Sequence, residues 1–424
     1  MNLIKKIFSP ICLVFSIIIL FFIIYKSEVY WNGTKREFYF VYYLISGILI
    51  LFSTITFYVN EKIKTYLIII LGSIILSLYA FEFHLITYNW KLGEISKRAK
   101  IFKQKTGKDF DIRSKQIAYN DFIKKYINAT IIVPPAIYRD SETKIYPLSG
   151  VSNSKTLFCN ESGNYAFYQS DRYGFNNPDK EWEKKEIEYL IVGDSFAHGA
   201  CVNRPNDIAS VLRVLSNKAV LNLGYSGNGP LLEYATLREY LKPNVKKVLW
   251  LYYERNDIGN LNTELNSEIL NSYLKNLSFS QNLQSKQSQI DKKSIETIKI
   301  ENKWFLKFIK LENIRTNLIK RFKFQPLYVY EKADVSTEFI KILEQTKKLI
   351  SKNNSTFYFV YLPEYERYSV SNYNSSYYEV KKIIEDLNIV FIDIHKEVFA
   401  KESNPLKLFP FGINGHYNKE GYSK

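Results

Sequence analysis

Cysteine, histidine and methionine are scarce in this chain of 424 residues, which has three, four and one of them respectively. Three cysteines are too few for a disulfide-dense secreted scaffold or for a zinc site with four cysteine ligands. Runs of five or six basic residues and zinc-finger spacings are also missing, although the formal net charge is +16. The charge reflects a general compositional bias toward lysine, and we do not expect a nucleic-acid-binding protein.

Long apolar runs are confined to the first 90 residues, at 7–25, 38–59 and 66–80. Each run approaches the roughly 20 residues that cross a bilayer core as a helix. We therefore expect three transmembrane helices in 1–90 and a multi-pass protein of the plasma (inner) membrane. The lysines and arginines around these runs lean weakly toward a cytoplasmic C-terminal domain.

Short apolar strands alternate with helices from about residue 187 onward. Strands are predicted at 187–193, 220–224, 245–253, 356–363 and 388–394, with helices at 207–215, 231–241, 338–351 and 377–387. This alternation is typical of an α/β fold with a parallel sheet covered on both faces, in which ligands bind at the carboxyl ends of the strands. Residues 262–330 form a polar, mostly helical insertion, which we interpret as a lid or a partner surface.

Polar motifs follow three of these strands where each strand ends. GDSF at 193–196 follows the first strand, YSG at 225–227 follows the second, and Asn256 follows the third. An acyl-transfer site needs a nucleophile and hydrogen-bond donors for the tetrahedral oxyanion. A serine, a glycine backbone and an asparagine amide would supply that set at one edge of the sheet. Taken singly, each motif is as consistent with an ordinary turn or helix cap.

The general base must come from four histidines. His84 lies in or beside the membrane, and His395 follows the fifth strand. His198 comes only three residues after Ser195, which leaves it little freedom to act on that serine. His416 lies in a loop after the last strand, which is a natural place for a base at the rim of the crevice. We therefore expect His416 to be the base.

Four motifs together resemble the blocks of the SGNH (GDSL-like) hydrolase family, in its membrane-anchored bacterial form. They are GDSF at 193–196, the glycine of the YSG at 225–227, Asn-Asp at 256–257 and GHYN at 415–418. The resemblance covers about 170–424 and implies a flavodoxin-like three-layer α/β/α fold with serine esterase or acyltransferase chemistry. We expect neither a metal nor a cofactor. By resemblance Ser195 is the nucleophile and His416 the general base, and the oxyanion donors are the Ser195 N–H, the Gly227 N–H and the Asn256 side chain.

Two positions depart from the family pattern. Arg255 replaces the glycine that usually precedes the block asparagine, which would narrow the pocket or place a cation beside an anionic substrate. The family's triad aspartate normally lies two or three residues before the histidine, where this chain has Asn414 and Ile413. Asn414 is a candidate to orient the imidazole through its side-chain oxygen. The alternatives are a Ser–His dyad, a carboxylate supplied from elsewhere and a non-catalytic relative.

Cys159 and Cys201 are the only cysteines outside the predicted spans. We hypothesise a disulfide between them, which would tie the lead-in segment to the active-site helix; two independent buried thiols are the alternative. A disulfide requires an oxidising compartment. Together with the family's usual extracytoplasmic location, this outweighs the charge pattern and predicts a catalytic domain outside the cytoplasm.

These inferences divide the chain into a three-span region (1–90), a juxtamembrane and lead-in segment (91–169) and a catalytic domain (170–424) that contains the insertion. The resemblance implies a serine esterase that acts on acylated cell-envelope glycans. A polysaccharide O-acetyltransferase and an inactive binding or scaffold protein are the alternatives. Expected partners are the ester substrate, the lipid bilayer and, for a transferase, a membrane protein that supplies the acyl group.

Overall fold

The computed structural model describes residues 2–30, 33, 36–88, 94–138, 145–301, 308–315, 335–371, 373 and 375–424. These residues form two compact units. The first consists of the described parts of 1–90 and 303–330, and the second of those of 91–302 and 331–424. The lead-in segment therefore belongs to the same unit as the residues after 170, and part of the predicted insertion belongs to the first unit.

Three helices make up most of the first unit: α1 (Asn2–Ile24, continuing in π-helical geometry over Tyr25–Tyr30), α2 (Arg36–Ile55) and α3 (Glu61–Tyr88). Within the described residues, Lys5–Tyr30 and Glu61–Ile86 are helical, long enough and apolar enough to cross a membrane. The apolar part of α2, Tyr39–Ile55, is shorter. The second of the three predicted spans is thus helical but falls below the length that the other two reach.

Glu82 on α3 binds a segment of the predicted insertion within this first unit. Its fully buried carboxylate accepts hydrogen bonds from the backbone N and the side-chain amide of Asn313 (2.9 and 2.8 Å) and from Ile314 N (2.9 Å). Tyr79 Oη donates to Ile309 O at 3.1 Å. These bonds satisfy a buried carboxylate that would otherwise be costly in an apolar setting.

The second unit begins with two helices and a small sheet: α4 (Glu94–Thr106), α5 (Lys115–Lys125), β1 (Ala129–Ile131), β2 (Lys155–Leu157) and β3 (Phe167–Gln169). β2 lies in the middle, parallel to β1 and antiparallel to β3. The connection between β2 and β3, residues 158–166, has no regular secondary structure.

A five-stranded parallel sheet forms the centre of the second unit: β4 (Ile187–Gly193), β5 (Val220–Asn222), β6 (Val245–Tyr253), β7 (Thr356–Leu362) and β8 (Val390–Asp393). The spatial order is β5-β4-β6-β7-β8, with every neighbouring pair parallel. Counted in chain order this is 2-1-3-4-5, the flavodoxin order. The predicted α/β class with a parallel sheet is confirmed, and the strand ends differ from the predicted ones by at most two residues.

The described helices around this sheet are α6 (Ser195–His198), α7 (Ile208–Ser216), α8 (Pro230–Tyr240), α9 (Asp257–Glu264), α10 (Glu268–Lys275), α11 (Gln287–Glu301), α12 (Thr337–Lys352), α13 (Glu366–Ser369), α14 (Tyr377–Asp386), α15 (Ile394–Glu397) and α16 (Lys419–Ser423). Short 3₁₀ turns occur at Pro135–Tyr138, Asp179–Glu183, Leu283–Lys286, Phe399–Lys401, Pro405–Leu408 and Pro410–Gly412.

Successive strand residues point to opposite faces of the sheet, and each face has its own buried cluster. Leu190 and Val192 of β4 join the cluster that includes residues of α8 and α12. Ile191, between them, joins the cluster that includes Ala209 of α7 and residues of the C-terminal segment. Helices and the C-terminal segment cover both faces of the sheet, so the unit has three layers with the sheet in the middle. Because both faces are buried, the strands are continuous apolar runs in the sequence.

Candidate active site

Ser195 is placed by the tight passage from β4 into α6. Gly193 ends the strand with a φ of +156°, and a Cβ added there would lie 2.7 Å from Leu251 O on the neighbouring β6. Asp194 caps α6 by accepting a hydrogen bond from Phe196 N at 2.8 Å. Burial raises the pKa of Asp194 to about 6, against the lowering effect of that backbone bond. The serine hydroxyl therefore lies at the carboxyl edge of the sheet, where ligands of this fold class bind.

Ser195 and His416 are in direct hydrogen-bonding contact. Ser195 Oγ and His416 Nε2 are 2.9 Å apart, although 221 residues separate them in the chain. The two residues after His416 anchor this part of the chain: Tyr417 Oη donates to Pro363 O at 2.6 Å, and Asn418 caps α16. This is the nucleophile–base geometry of a serine hydrolase.

Glu161, from the connection between β2 and β3, completes a three-residue chain. Its Oε1 lies 3.0 Å from His416 Nδ1, and its Oε2 accepts a hydrogen bond from His416 N at 2.7 Å. A Cβ at Gly415 would lie 2.6 Å from Glu161 Oε2, so only glycine at that position lets the carboxylate approach. Serine, imidazole and carboxylate are arranged as in a catalytic triad.

The expectation that Asn414 orients the imidazole needs correction, because Glu161 occupies the position beside Nδ1. Asn414 contributes its backbone carbonyl instead, which accepts a hydrogen bond from the buried guanidinium of Arg98. Arg98 also donates to Glu161 O at 3.0 Å. One arginine of α4 thus holds the backbones on both sides of the Glu161–His416 contact.

Opposing effects act on the acidities of this pair, whose side chains are only 19% and 25% exposed. Burial raises the pKa of Glu161. The charge and hydrogen bonds of His416, together with the charge of Arg98, outweigh burial, and the net effect is a lowered pKa. Burial lowers the pKa of His416, but the charge and hydrogen bond of Glu161, helped by Asp194, raise it above its usual value. The carboxylate therefore favours the imidazolium that a general base becomes after it takes a proton.

The three expected oxyanion donors follow adjacent strands. Ser195, Gly227 and Asn256 come after β4, β5 and β6, which are neighbours in the sheet. Gly227 has a φ of +83°, and its N–H donates no hydrogen bond among the described residues. Asn256 stands at the start of α9 but makes no capping bond with its side chain. The side chain of Asn256 therefore does not cap α9, which was the alternative role that the sequence allowed.

His198 supports the glycine loop and does not contact Ser195 Oγ in the described hydrogen bonds. It is fully buried, stacks on Tyr225 with ring centroids 4.6 Å apart, and accepts a hydrogen bond from Ser226 N at Nδ1 (3.1 Å). Burial lowers its pKa to about 3, so the ring stays neutral and remains an acceptor. His395 is hydrogen-bonded elsewhere, to Tyr368 Oη at 2.8 Å.

Arg255 is neutralised by neighbouring carboxylates. Its guanidinium lies 3.3 Å from Glu364 Oε2 and 3.2 Å from Glu366 Oε1. Glu364 is buried, and burial raises its pKa to about 7 even with the arginine beside it. The arginine therefore does not supply the uncompensated cation that was expected to recognise an anionic substrate.

The two cysteines of the second unit form a disulfide, Cys159–Cys201, with an S–S distance of 2.13 Å and a Cα–Cα distance of 4.8 Å. Ligand atoms of Cys201, Glu161 and His416 lie within 4.8 Å of one another, a spacing that could hold a metal ion. Cysteine binds metals as a thiolate, so this set does not fit a metal while Cys201 is in the disulfide.

Glu161 and Arg98 were missed by sequence reasoning. A signal for Glu161 was present, because the hypothesised disulfide placed Cys159 next to the active-site helix. Glu161 is the carboxylate two residues further along the chain. Arg98 had no comparable signal, since it is one of several basic residues in α4.

No family model and no curated protein matches this chain. Among solved structures, a protein from Desulfitobacterium hafniense DCB-2 described as lipolytic and of the G-D-S-L family is similar over 56% of this chain and 94% of its own, at 13% identity and a TM-score of 0.29. A protein from Bacillus subtilis is similar over 56% of this chain and 53% of its own, at 11% identity and a TM-score of 0.30. Similarity at this level carries no information about the chemistry of the site.

Proposed function

We propose that this chain is a membrane-anchored serine esterase of the SGNH type. The observation that carries the proposal is the continuous contact from Ser195 Oγ through the His416 imidazole to the Glu161 carboxylate, with distances of 2.9 and 3.0 Å. An inactive binding protein has no need for this arrangement at the carboxyl edge of a parallel sheet. The four SGNH-like motifs support the same reaction class.

The proposed mechanism has two half-reactions. Ser195 Oγ attacks the ester carbonyl while His416 Nε2 takes its proton, and Glu161 stabilises the imidazolium. The tetrahedral oxyanion is held by the Ser195 and Gly227 N–H groups and the Asn256 amide. As the intermediate collapses, the C–O bond to the alcohol breaks and His416 protonates the leaving oxygen. Water, deprotonated by His416, then attacks the acyl carbonyl. The bond to Ser195 Oγ breaks as His416 returns the proton to that oxygen, and the carboxylic acid is released.

Acylated glycans of the cell envelope are the proposed substrates, with the catalytic unit outside the cytoplasm. The substrate class rests on the resemblance to membrane-anchored SGNH proteins. The compartment is supported by the Cys159–Cys201 disulfide, which needs oxidising surroundings. Helices α1, α2 and α3 are the proposed spans, and an odd number of spans puts the N-terminus in the cytoplasm.

Active-site labelling tests the proposal most directly. A fluorophosphonate probe is expected to label the wild-type full-length protein and not Ser195→Ala, and an activated acetyl ester should be turned over only by the wild type. Ser226→Ala is the matched control, because Ser226 lies in the glycine loop at 225–227 and contacts His198 through its backbone N–H rather than its hydroxyl. Equal turnover by wild type and Ser195→Ala would refute the esterase.

A further inference from the structure

The placement of Glu161 depends on a segment that has little regular structure to hold it. The connection 158–166 is closed by two backbone hydrogen bonds, Phe158 N to Ala166 O (2.8 Å) and Ala166 N to Cys159 O (2.9 Å). Glu161 lies beyond this closure and must still meet a histidine 255 residues away. A displacement of about 1 Å in such a contact is enough to cost about 10²-fold in rate.

The disulfide links this segment covalently to the turn that follows α6, the helix that begins with the proposed nucleophile. Cys159 precedes Glu161 by two residues, and Cys201 follows Ser195 by six. Cys201 Sγ also lies 3.8 Å from His416 Nδ1, the ring atom that faces Glu161. The bond therefore lies directly beside the carboxylate–imidazole contact.

Other contacts hold the surrounding fold independently of the disulfide. Phe167 N donates to Asn203 Oδ1 at 2.8 Å, and Arg204 donates to Gln169 O at 2.7 Å, so β3 stays joined to the chain after α6. Asn160 donates to Asp111 O at 2.9 Å. These bonds do not involve sulfur, and Arg98 still binds Glu161 O. Loss of the disulfide should therefore leave the unit folded and remove only the covalent restraint between the Glu161 segment and the chain that follows α6.

We infer that Cys159 and Cys201 are positioning residues, whose disulfide holds the Glu161 carboxylate on His416 and so makes the esterase active in its oxidised form. The inference rests on the proposed function. A dithiol would reverse this state: its thiolate attacks one sulfur and breaks the S–S bond, and its second thiol closes the reductant's own disulfide. Two electrons and two protons are transferred, and Cys159 and Cys201 become thiols. Cys159 is half-buried, so a small dithiol can reach the bond.

The test measures ester hydrolysis by the full-length protein in detergent, with and without a dithiol and with a chelator to keep metals off the released thiols. In the wild type, reduction should lower kcat at least about 10-fold and leave KM within about two-fold, because a positioning loss acts on the chemical step. The acid limb of the pH profile should move to lower pH, since His416 loses the carboxylate that raises its pKa. Cys159→Ala/Cys201→Ala should behave like the reduced wild type under either condition.

Glu161→Gln decides whether the disulfide acts through Glu161. This variant is slow when oxidised, and reduction should change its kcat less than about two-fold, because the contact is already lost. An equal fold-loss in Glu161→Gln and in the wild type would overturn the inference, as would a wild type that is insensitive to reduction. Circular dichroism of the reduced protein and of the double alanine variant checks the fold, and unfolding of both would also overturn it.

Labelling separates this inference from the proposed function. Failure of the fluorophosphonate to label oxidised wild type at Ser195 contradicts the esterase itself. Labelling and turnover that persist unchanged after reduction contradict only the positioning role of the disulfide.

Discussion

At the scale of single residues, the site depends on which group meets Nδ1 of His416. Asn414 is the neighbour in sequence, but Glu161 makes the contact, because the loop presents Asn414 through its backbone carbonyl to Arg98. A carboxylate stabilises an imidazolium far better than an amide oxygen does. Position 414 lacks the carboxylate of the family motif, but Glu161, from another part of the chain, supplies a carboxylate beside His416.

Glu161→Gln should lower kcat by roughly 10⁴-fold, as loss of the corresponding carboxylate does in serine proteases. In the proposed mechanism the neutral form of His416 is the base, so kcat/KM should fall as pH drops through its pKa. Since Glu161 raises that pKa and burial lowers it, the remaining activity should have its acid limb at lower pH. Steady-state pH profiles with an activated acetyl ester measure both effects.

Asn414→Ala is the matched control for this prediction. It removes a side chain from the same loop but keeps the carbonyl that Arg98 binds, so its kcat should stay within about three-fold of wild type. A loss in Asn414→Ala comparable to that in Glu161→Gln would contradict the assignment of Glu161.

Asn256→Ala should lower kcat by about 10²–10³-fold if the amide holds the oxyanion, with little change in stability. The side chain makes no capping bond to α9, so its removal leaves no helix donor unsatisfied. Measuring kcat and the thermal unfolding midpoint of wild type and Asn256→Ala separates a role in oxyanion binding from a role in stability. A parallel loss of stability and activity would indicate a structural asparagine.

At the scale of elements, the carboxyl edges of β4, β5 and β6 bring the serine, the glycine loop and the asparagine to one side of the sheet. The strand pattern in the sequence predicted this placement, because parallel strands end at the same edge. The support beneath the glycine loop could not be predicted, since His198 looked like a helix residue beside Ser195. Its ring packs against Tyr225 and Phe158 and accepts a hydrogen bond from Ser226 N.

His198→Phe should lower kcat at least about 10-fold, because the Ser226 N–H loses its acceptor and the Gly227 loop loses its anchor. His198→Asn should restore much of the rate, since its side-chain oxygen can replace Nδ1 as the acceptor. Burial lowers the pKa of His198 to about 3, so neither variant should move a limb of the pH profile near neutrality. Equal rates for the two variants would argue against the acceptor role.

At the scale of the whole molecule, the division into units differs from the division of the sequence. The lead-in segment supplies Arg98 and Glu161 to the candidate site, so it is part of the unit that contains this site. The predicted insertion is divided as well. α10 and α11 belong to the second unit, while 308–315 binds α3 in the first. Composition alone showed only that 262–330 is polar and mostly helical.

Glu82→Ala should release the segment 308–315 from α3, because its three hydrogen bonds to Asn313 and Ile314 are lost. In the full-length protein in detergent, trypsin should then cleave faster after Lys310 and Arg315, which are already exposed. Glu61→Ala is the control on the same helix, since Glu61 is exposed and pairs only with Lys64 in the described ion pairs. Equal cleavage rates for the two variants would contradict this role of Glu82.

Local patterns in the sequence predicted the strands and helices of the parallel sheet and the position of Ser195 at its edge, and a composition with only four histidines singled out His416. The strand, helix and turn patterns depend on residues only a few positions apart, so the sequence shows them without the fold. The tertiary structure alone decided that Glu161 and Arg98 complete the candidate site, that His198 supports the glycine loop at 225–227 and that Arg255 is paired with carboxylates. Each of these depends on side chains brought together from distant segments, and a carboxylate acts on whichever imidazole is near it in space, however far apart the two lie in sequence.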